Sequence, residues 1–167
     1  MKKIGIFVDV QNIYYTTRDA FGRSFDYRKF WQHINQQGNI VIANAYAIQR
    51  SEQSDVNDSQ IKFQDALRHI GFSVKLKPFI QRADGSAKGD WDVGITIDIL
   101  KACANLELDN LILLSGDGDF SLLLNTIKQD FNVKSTVYGV TKLTAKSLID
   151  SADSFVEINQ ELLINKS

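Results

Sequence analysis

The chain has 167 residues, 44% hydrophobic and 23% charged, with a formal net charge of -1. That length and balance suit one soluble globular domain with a real hydrophobic core, and the near-neutral charge excludes a protein-wide electrostatic footprint for nucleic acid. A lone cysteine, Cys103, excludes an internal disulfide framework.

Ile4–Val10 opens the chain as a short apolar strand broken by Asp9, far too short for a signal h-region or a membrane span. The expected compartment is therefore the reducing cytoplasm. Tyr27, Phe30, Trp31 and Ile34 recur at i, i+3, i+4 and i+7, one face of a helix. Ile40–Ile48 reads as a second strand, and the polar stretch Arg50–Asn57 as a loop. Ile61, Ala66, Leu67 and Ile70 mark another helix, closed by Gly71 at the position just past its end.

Ser73–Phe79 is the next strand, followed by a second loop, Gln81–Gly89. Val93, Ile97, Leu100 and Ala104 mark a third helix face, and Cys103 in that stretch is expected to pack rather than react. Leu111–Leu114 shows no in/out alternation, as a central strand buried on both faces should. A helix over Leu122–Ile127 and strands at Ser135–Tyr138 and Phe155–Ile158 complete the pattern. Strands alternating with helices predict parallel crossovers, hence an α/β fold with a mostly parallel sheet and helices on both faces. The expected organisation is a single domain over 1–160 with a short C-terminal tail, 161–167.

In an open parallel α/β sheet, ligands bind at the carboxyl ends of the strands. Asp9 ends the first strand, with Asn12 three residues on, and Leu111–Leu114 runs into Ser115-Gly116-Asp117-Gly118-Asp119-Phe120. Gly116 and Gly118 are expected to allow the tight backbone path that points both carboxylates of that turn at the same pocket. Asp92 opens the helix after the second loop. Taken singly, Asp9, Asp92 or Asp119 could each be a helix cap; together they deliver carboxylates from three stretches to one face. Four such groups would repel one another strongly at neutral pH unless a divalent cation lies among them. All-oxygen ligation suits Mg²⁺ or Mn²⁺, and zinc would want a Cys/His set that is missing. His33 and His69 fall at helical positions, as surface or packing residues. Asp98 lies six residues after Asp92, about 240° around a helix, which assigns it a supporting place.

Three segments carry a resemblance: Phe7-Val8-Asp9-Val10-Gln11-Asn12, then Lys88-Gly89-Asp90-Trp91-Asp92-Val93-Gly94-Ile95 with Asp98, then Leu113-Leu114-Ser115-Gly116-Asp117-Gly118-Asp119-Phe120. In this order and spacing they resemble the NYN domain family, within the PIN-like nuclease superfamily, and its bacterial LabA-like branch. The resemblance spans residues 4 to about 158. It implies a Rossmann-like sheet, one or two Mg²⁺ or Mn²⁺ ions, and in many members cleavage of RNA. Carried over, Asp9, Asp92, Asp117 and Asp119 are metal ligands and catalytic residues, while Asn12, Asp98 and Ser115 support them.

The implied function is hydrolysis of RNA phosphodiesters. Lys88 and Trp91 are the expected substrate contacts, with Arg50, Arg82 and Lys142 as weaker rim candidates and Phe79 as a further stacking candidate. The alternative is a regulatory or binding module that keeps the pocket and docks RNA or a protein without turnover, a reading the small net charge favours. A haloacid-dehalogenase-like phosphatase is the lesser rival, since that family wants a second Asp two residues after the first and this chain has Gln11 there. Exposed sheet edges leave room for a homodimer.

Overall fold

The computed structural model describes residues 1–49, 54–78, 80–81, 87–88 and 90–165. The chain opens with β1 (Lys3–Asp9), α1 (Val10–Phe21), α2 (Tyr27–Asn35), β2 (Asn39–Gln49), α3 (Ser54–Ile70) and β3 (Ser73–Pro78). Two short strands, β4 (Ile80–Gln81) and β5 (Ala87–Lys88), pair antiparallel and lead into α4 (Asp92–Asn105). The second half runs β6 (Asn110–Leu114), α5 (Ser121–Phe131), β7 (Lys134–Gly139), α6 (Lys146–Ser151) and β8 (Ser154–Glu157).

The main sheet has six strands in the order β3-β2-β1-β6-β7-β8, and every neighbouring pair is parallel. The chain works outward from β1 in one direction, then returns to β1's other side and works outward again. β1 and β6 therefore flank the point where strand order reverses, the place where open α/β sheets leave a crevice for ligands. Val8 is level with Leu114 in the β1–β6 ladder, so Asp9 and Ser115 leave the sheet side by side.

Alternation along the strands divides the core. Ile4, Ile6, Val8, Ile112 and Leu114 face α1, α2 and α3, packing with Ile13, Phe30, Ile34 and Leu67. Phe7, Leu111 and Leu113 face α4, α5 and α6, packing with Ile95, Ile99, Leu124 and Leu148. β6 is thus buried on both faces, as its unbroken apolar run predicts.

Two helix faces differ from the expected ones. On α4 the buried residues are Ile95, Ile99, Ala102 and Cys103, while Val93 is 72% exposed and Ile97 47%. This helix is apolar around most of its circumference, so spacing alone cannot choose its inner face. Among the described residues of α3, Gln64 and Leu67 are buried and Ile70 packs against the core as expected, whereas Ile61 is 52% exposed. Gly71 does close α3 as expected: its φ is 139°, and its N–H donates to the Leu67 carbonyl at 3.2 Å.

The polar stretch expected as a loop from Arg50 to Asn57 is helical from Ser54 onward, and residues 50–53 lie outside the described residues. The expected tail is docked over residues 161–165. Leu163 is buried and bridges to Phe25, and the Ile164 N–H donates to the Ser24 carbonyl at 2.8 Å. Among the described residues, no helix is long and apolar enough to cross a membrane.

Candidate metal centre

Asp9 does two jobs at the end of β1. One carboxylate oxygen caps α1 by accepting from the Asn12 N–H at 3.4 Å, and the other accepts from the Ser115 hydroxyl at 3.3 Å. Burial pushes its pKa up to about 6; the Asn12 and Ser115 hydrogen bonds hold it down in part, and the charges of Asp117 and Asp90 add to the rise. Ser115, itself buried, also accepts from the Asp117 N–H at 3.2 Å. Asn12 crosses the same gap, its side-chain oxygen accepting from the Gly116 N–H at 2.9 Å. Two loops from opposite ends of the sequence are thereby laced together.

Asp117 caps the 3-10 turn Gly118–Phe120, accepting from the Asp119 N–H at 2.9 Å. Capping and cluster membership therefore coexist in Asp9 and Asp117. The two glycines of this turn serve a purpose other than the expected one. Neither has a positive φ; among the described glycines only Gly22 and Gly71 do. What they permit is close approach. A Cβ on Gly116 would lie 2.6 Å from the Leu143 carbonyl oxygen, and one on Gly118 would lie 2.9 Å from the Ala145 methyl. The turn is pressed against the 143–145 segment, where the Ala145 N–H donates to the Gly116 carbonyl at 3.0 Å.

Asp92 arrives from a third direction as the first residue of α4. Its approach is fixed by Trp91, whose indole N–H donates to the Ala47 carbonyl at 2.8 Å and whose ring meets Tyr46 edge-on at 5.3 Å. Asp92, Asp117 and Asp119 each offer a carboxylate oxygen, and these three atoms lie within 4.8 Å of one another. Burial pushes the Asp92 pKa up to about 8, reinforced by a hydrogen bond to Asp117 and by the charges of Asp117, Asp9 and Asp90. By itself the cluster keeps a proton to relieve the crowding. A hard, all-oxygen donor set of this kind matches a Mg²⁺- or Mn²⁺-sized cation.

Other expected residues fall at different distances from this centre. Asp98 is not brought into the cluster; it accepts from the Tyr46 hydroxyl at 2.8 Å and pairs with Lys75 at 3.6 Å. Its six-residue offset along α4 turns it toward β2 and β3. Trp91 is half-buried, and its ring carries the Lys77 ammonium at 5.6 Å. Of Lys88 only the backbone, paired with Ile80, is described. Arg50, Phe79 and Arg82 lie outside the described residues, and Lys142 is exposed in the 3-10 turn Thr141–Leu143. His33 and His69 are exposed, and Cys103 is buried, with burial pushing its thiol up to about 11.

Three contributors had no signal in the sequence strong enough to single them out. Asp90 accepts from the Asp92 N–H at 3.3 Å and adds charge to the site. Lys77 donates to the Asp90 carbonyl at 3.0 Å, tying β3 to the segment that leads into α4. Tyr46, level with Asp9 in the β1–β2 ladder, accepts from the Asn44 amide at 3.0 Å and donates its own hydroxyl hydrogen bond to Asp98.

Known proteins resemble this chain in sequence and fold. The sequence is 27% identical over 163 residues to the low amplitude and bright protein LabA of Synechococcus elongatus, covering 94% of this chain and 84% of that one. A crystal structure of a protein of unknown function from Vibrio parahaemolyticus superimposes with a TM-score of 0.88 at 52% identity, covering 98% of this chain and 96% of that one. The sequence model of the NYN domain matches residues 3–159. Matched over nearly its whole length, the chain belongs to the NYN domain family of the PIN-like nuclease superfamily.

Proposed function

We propose that this protein is a divalent-cation-dependent ribonuclease that hydrolyses RNA phosphodiesters at its acidic strand-end site, in the cytoplasm. The observation that carries this reading is the convergence of Asp92, Asp117 and Asp119 oxygens within 4.8 Å, with Asp92 raised to about 8 by burial and then by its acidic neighbours. Such crowding is electrostatically unfavourable and is relieved by a cation. Asp92, Asp117 and Asp119 would hold the ion, with Asp9 behind them. Bound there, Mg²⁺ or Mn²⁺ would polarise a phosphoryl oxygen and lower the pKa of water.

The remaining residues position and shield. Asn12 and Ser115 hold the first turn of α1 against the turn after β6, so the acids of the two loops keep one spacing. Asp98 acts at one remove, by fixing Tyr46 beside Asp9. Lys77 holds the Asp90–Trp91 segment that leads into Asp92. Trp91, wedged between Tyr46 and Lys77, is better suited to anchoring α4 than to stacking on a base, and Lys88 is the loop residue proposed to reach substrate.

The test is incubation of the purified protein with labelled single-stranded RNA and the matching DNA in Mg²⁺, Mn²⁺ or EDTA. Cation-dependent RNA cleavage lost in Asp117→Asn is expected. No cleavage by the wild type, or equal cleavage by the variant, refutes it. The net charge of -1 supports a second reading, an RNA- or protein-docking module that retains the pocket; binding without turnover, indifferent to Asp9→Asn, would identify it.

A further inference from the structure

Among the described residues nothing covers the outer face of α4, which is apolar. Val93, Ile97 and Ala104 fall within about 40° of one another around the helix, with Leu100 beside them. The first three are exposed and Leu100 is half-buried. Their spacing marks a packing face in the sequence, yet α4 meets its own sheet through Ile95, Ile99, Ala102 and Cys103. A helix that is apolar all round is ordinarily enclosed all round. On the neighbouring α5, Leu122 is 76% exposed. The described C-terminal residues do not supply the cover: Leu163 and Ile164 dock at Phe25 and Ser24, on the α1–α3 side of the sheet.

The charges at the two ends of this face match it to a copy of itself. Asp90 is exposed just before the helix begins, and Lys101 is exposed toward its C-terminal end. Among the described residues neither side chain forms an ion pair. Val93 and Lys101 lie four residues either side of Ile97, a rise of about 6 Å each way. Antiparallel pairing of two such helices about Ile97 therefore sets Lys101 of each level with Val93 of the other, with Asp90 three residues beyond. Both charges are then matched twice. A twofold interface requires self-complementarity of this kind, and opposed helix dipoles add to it. The net charge of -1 leaves little repulsion between copies.

We propose that a second copy of this chain covers this face, α4 packing antiparallel on α4 about a twofold axis at Ile97, with Lys101 of each copy set toward Asp90 of the other. The association stands apart from the ribonuclease reading, because it is measured without RNA.

Sedimentation velocity of the full chain over a concentration series up to about 1 mM, the weak end of specific association, tests it. The wild type should pass from monomer to dimer. Ile97→Glu, at an exposed position, should weaken association at least about a hundredfold, because the twofold buries the new charge twice. Its circular dichroism should match the wild type. Lys101→Glu and Asp90→Lys should each weaken association about tenfold, and the two together should restore it. Under mild oxidation Ile97→Cys should give a disulfide-linked dimer, while the native Cys103 stays buried. Asn105→Cys should not, since its two copies would stand about 24 Å apart along the pair. A wild type that stays monomeric overturns the proposal. So does a dimer that survives Ile97→Glu, one that the paired charge reversal fails to restore, or one that links through Asn105→Cys instead.

Discussion

The side-chain oxygen of Asn12 accepts the Gly116 N–H at 2.9 Å, joining residues 104 positions apart across the gap between β1 and β6. Gly116 is buried, so an N–H left without this acceptor has no ready access to water. Asn12→Ala should therefore destabilise the fold by about 1–3 kcal/mol. Asn12→Asp keeps an acceptor for Gly116 but adds a charge beside Asp9, so it should lose less stability in Mg²⁺ than in EDTA. Urea denaturation of both variants, with and without Mg²⁺, measures the two effects.

Stability should depend on pH in a direction set by the raised carboxyl groups. Asp92 binds its proton more tightly folded than unfolded, with a native pKa of about 8. Its contribution is complete below the ordinary carboxylate range and is lost as pH rises through about 8. Asp9, at about 6, has the same sign over a lower window. In EDTA the melting temperature should fall as pH rises from about 5 to about 8, and Asp92→Asn should flatten the upper part. Mg²⁺ should raise the melting temperature more at the alkaline end, where it no longer competes with a proton.

Removing a cluster carboxylate should abolish the proposed chemistry while sparing the fold. Asp117→Asn keeps an oxygen to cap Asp119 but gives up a charge. RNA cleavage should fall by more than about a hundredfold, the scale of several kcal/mol of lost charge stabilisation. Near-native circular dichroism would separate this from unfolding.

Tyr46→Phe should cost stability without removing a carboxylate from the cluster. It strips a partner from the buried Asn44 amide and from Asp98, a loss of about 1–3 kcal/mol. A double-mutant cycle with Asp98→Ala should show strong coupling, since the two deletions break a shared hydrogen bond.

Gly116→Ala should be as harmful as a core overpacking change, about 1–3 kcal/mol. The new methyl would meet a backbone oxygen, that of Leu143, which cannot swing aside like a side chain. Chemical denaturation checks this, and the same substitution at Gly22, where φ is 63° but nothing lies within 4 Å of a Cβ, would report backbone strain alone.

Much of this was legible in the sequence because it depends on local order. An apolar run ending in Asp9, and Leu111–Leu114 ending in a turn with two acids, place carboxylates at strand ends once the sheet is parallel. Gly71 announced the end of α3 by the backbone it adopts. What spacing could not give was tertiary. The inner face of α4 is undecided when apolar residues surround the helix. The purpose of Gly116 depends on a segment 27 residues away, and the partners of Asp98 on strands more than 20 residues upstream. Asp90, Lys77 and Tyr46 join the site through folding alone, each an ordinary residue until β2, β3 and α4 meet.

The central place of β1 bears on how the protein comes into being. β1 lies in the middle of the sheet and closes on β6 through contacts such as Ser115–Asp9, 106 residues apart. Long-range pairings of this kind form late, because their chain-closure entropy is met only when the intervening elements are in place. A nascent chain that has not reached β6 carries Asp9 and Asp92 but no shared pocket for them. The turn after β6 carries Asp117 and Asp119, so the cluster they form with Asp92 exists only once β6 has joined β1.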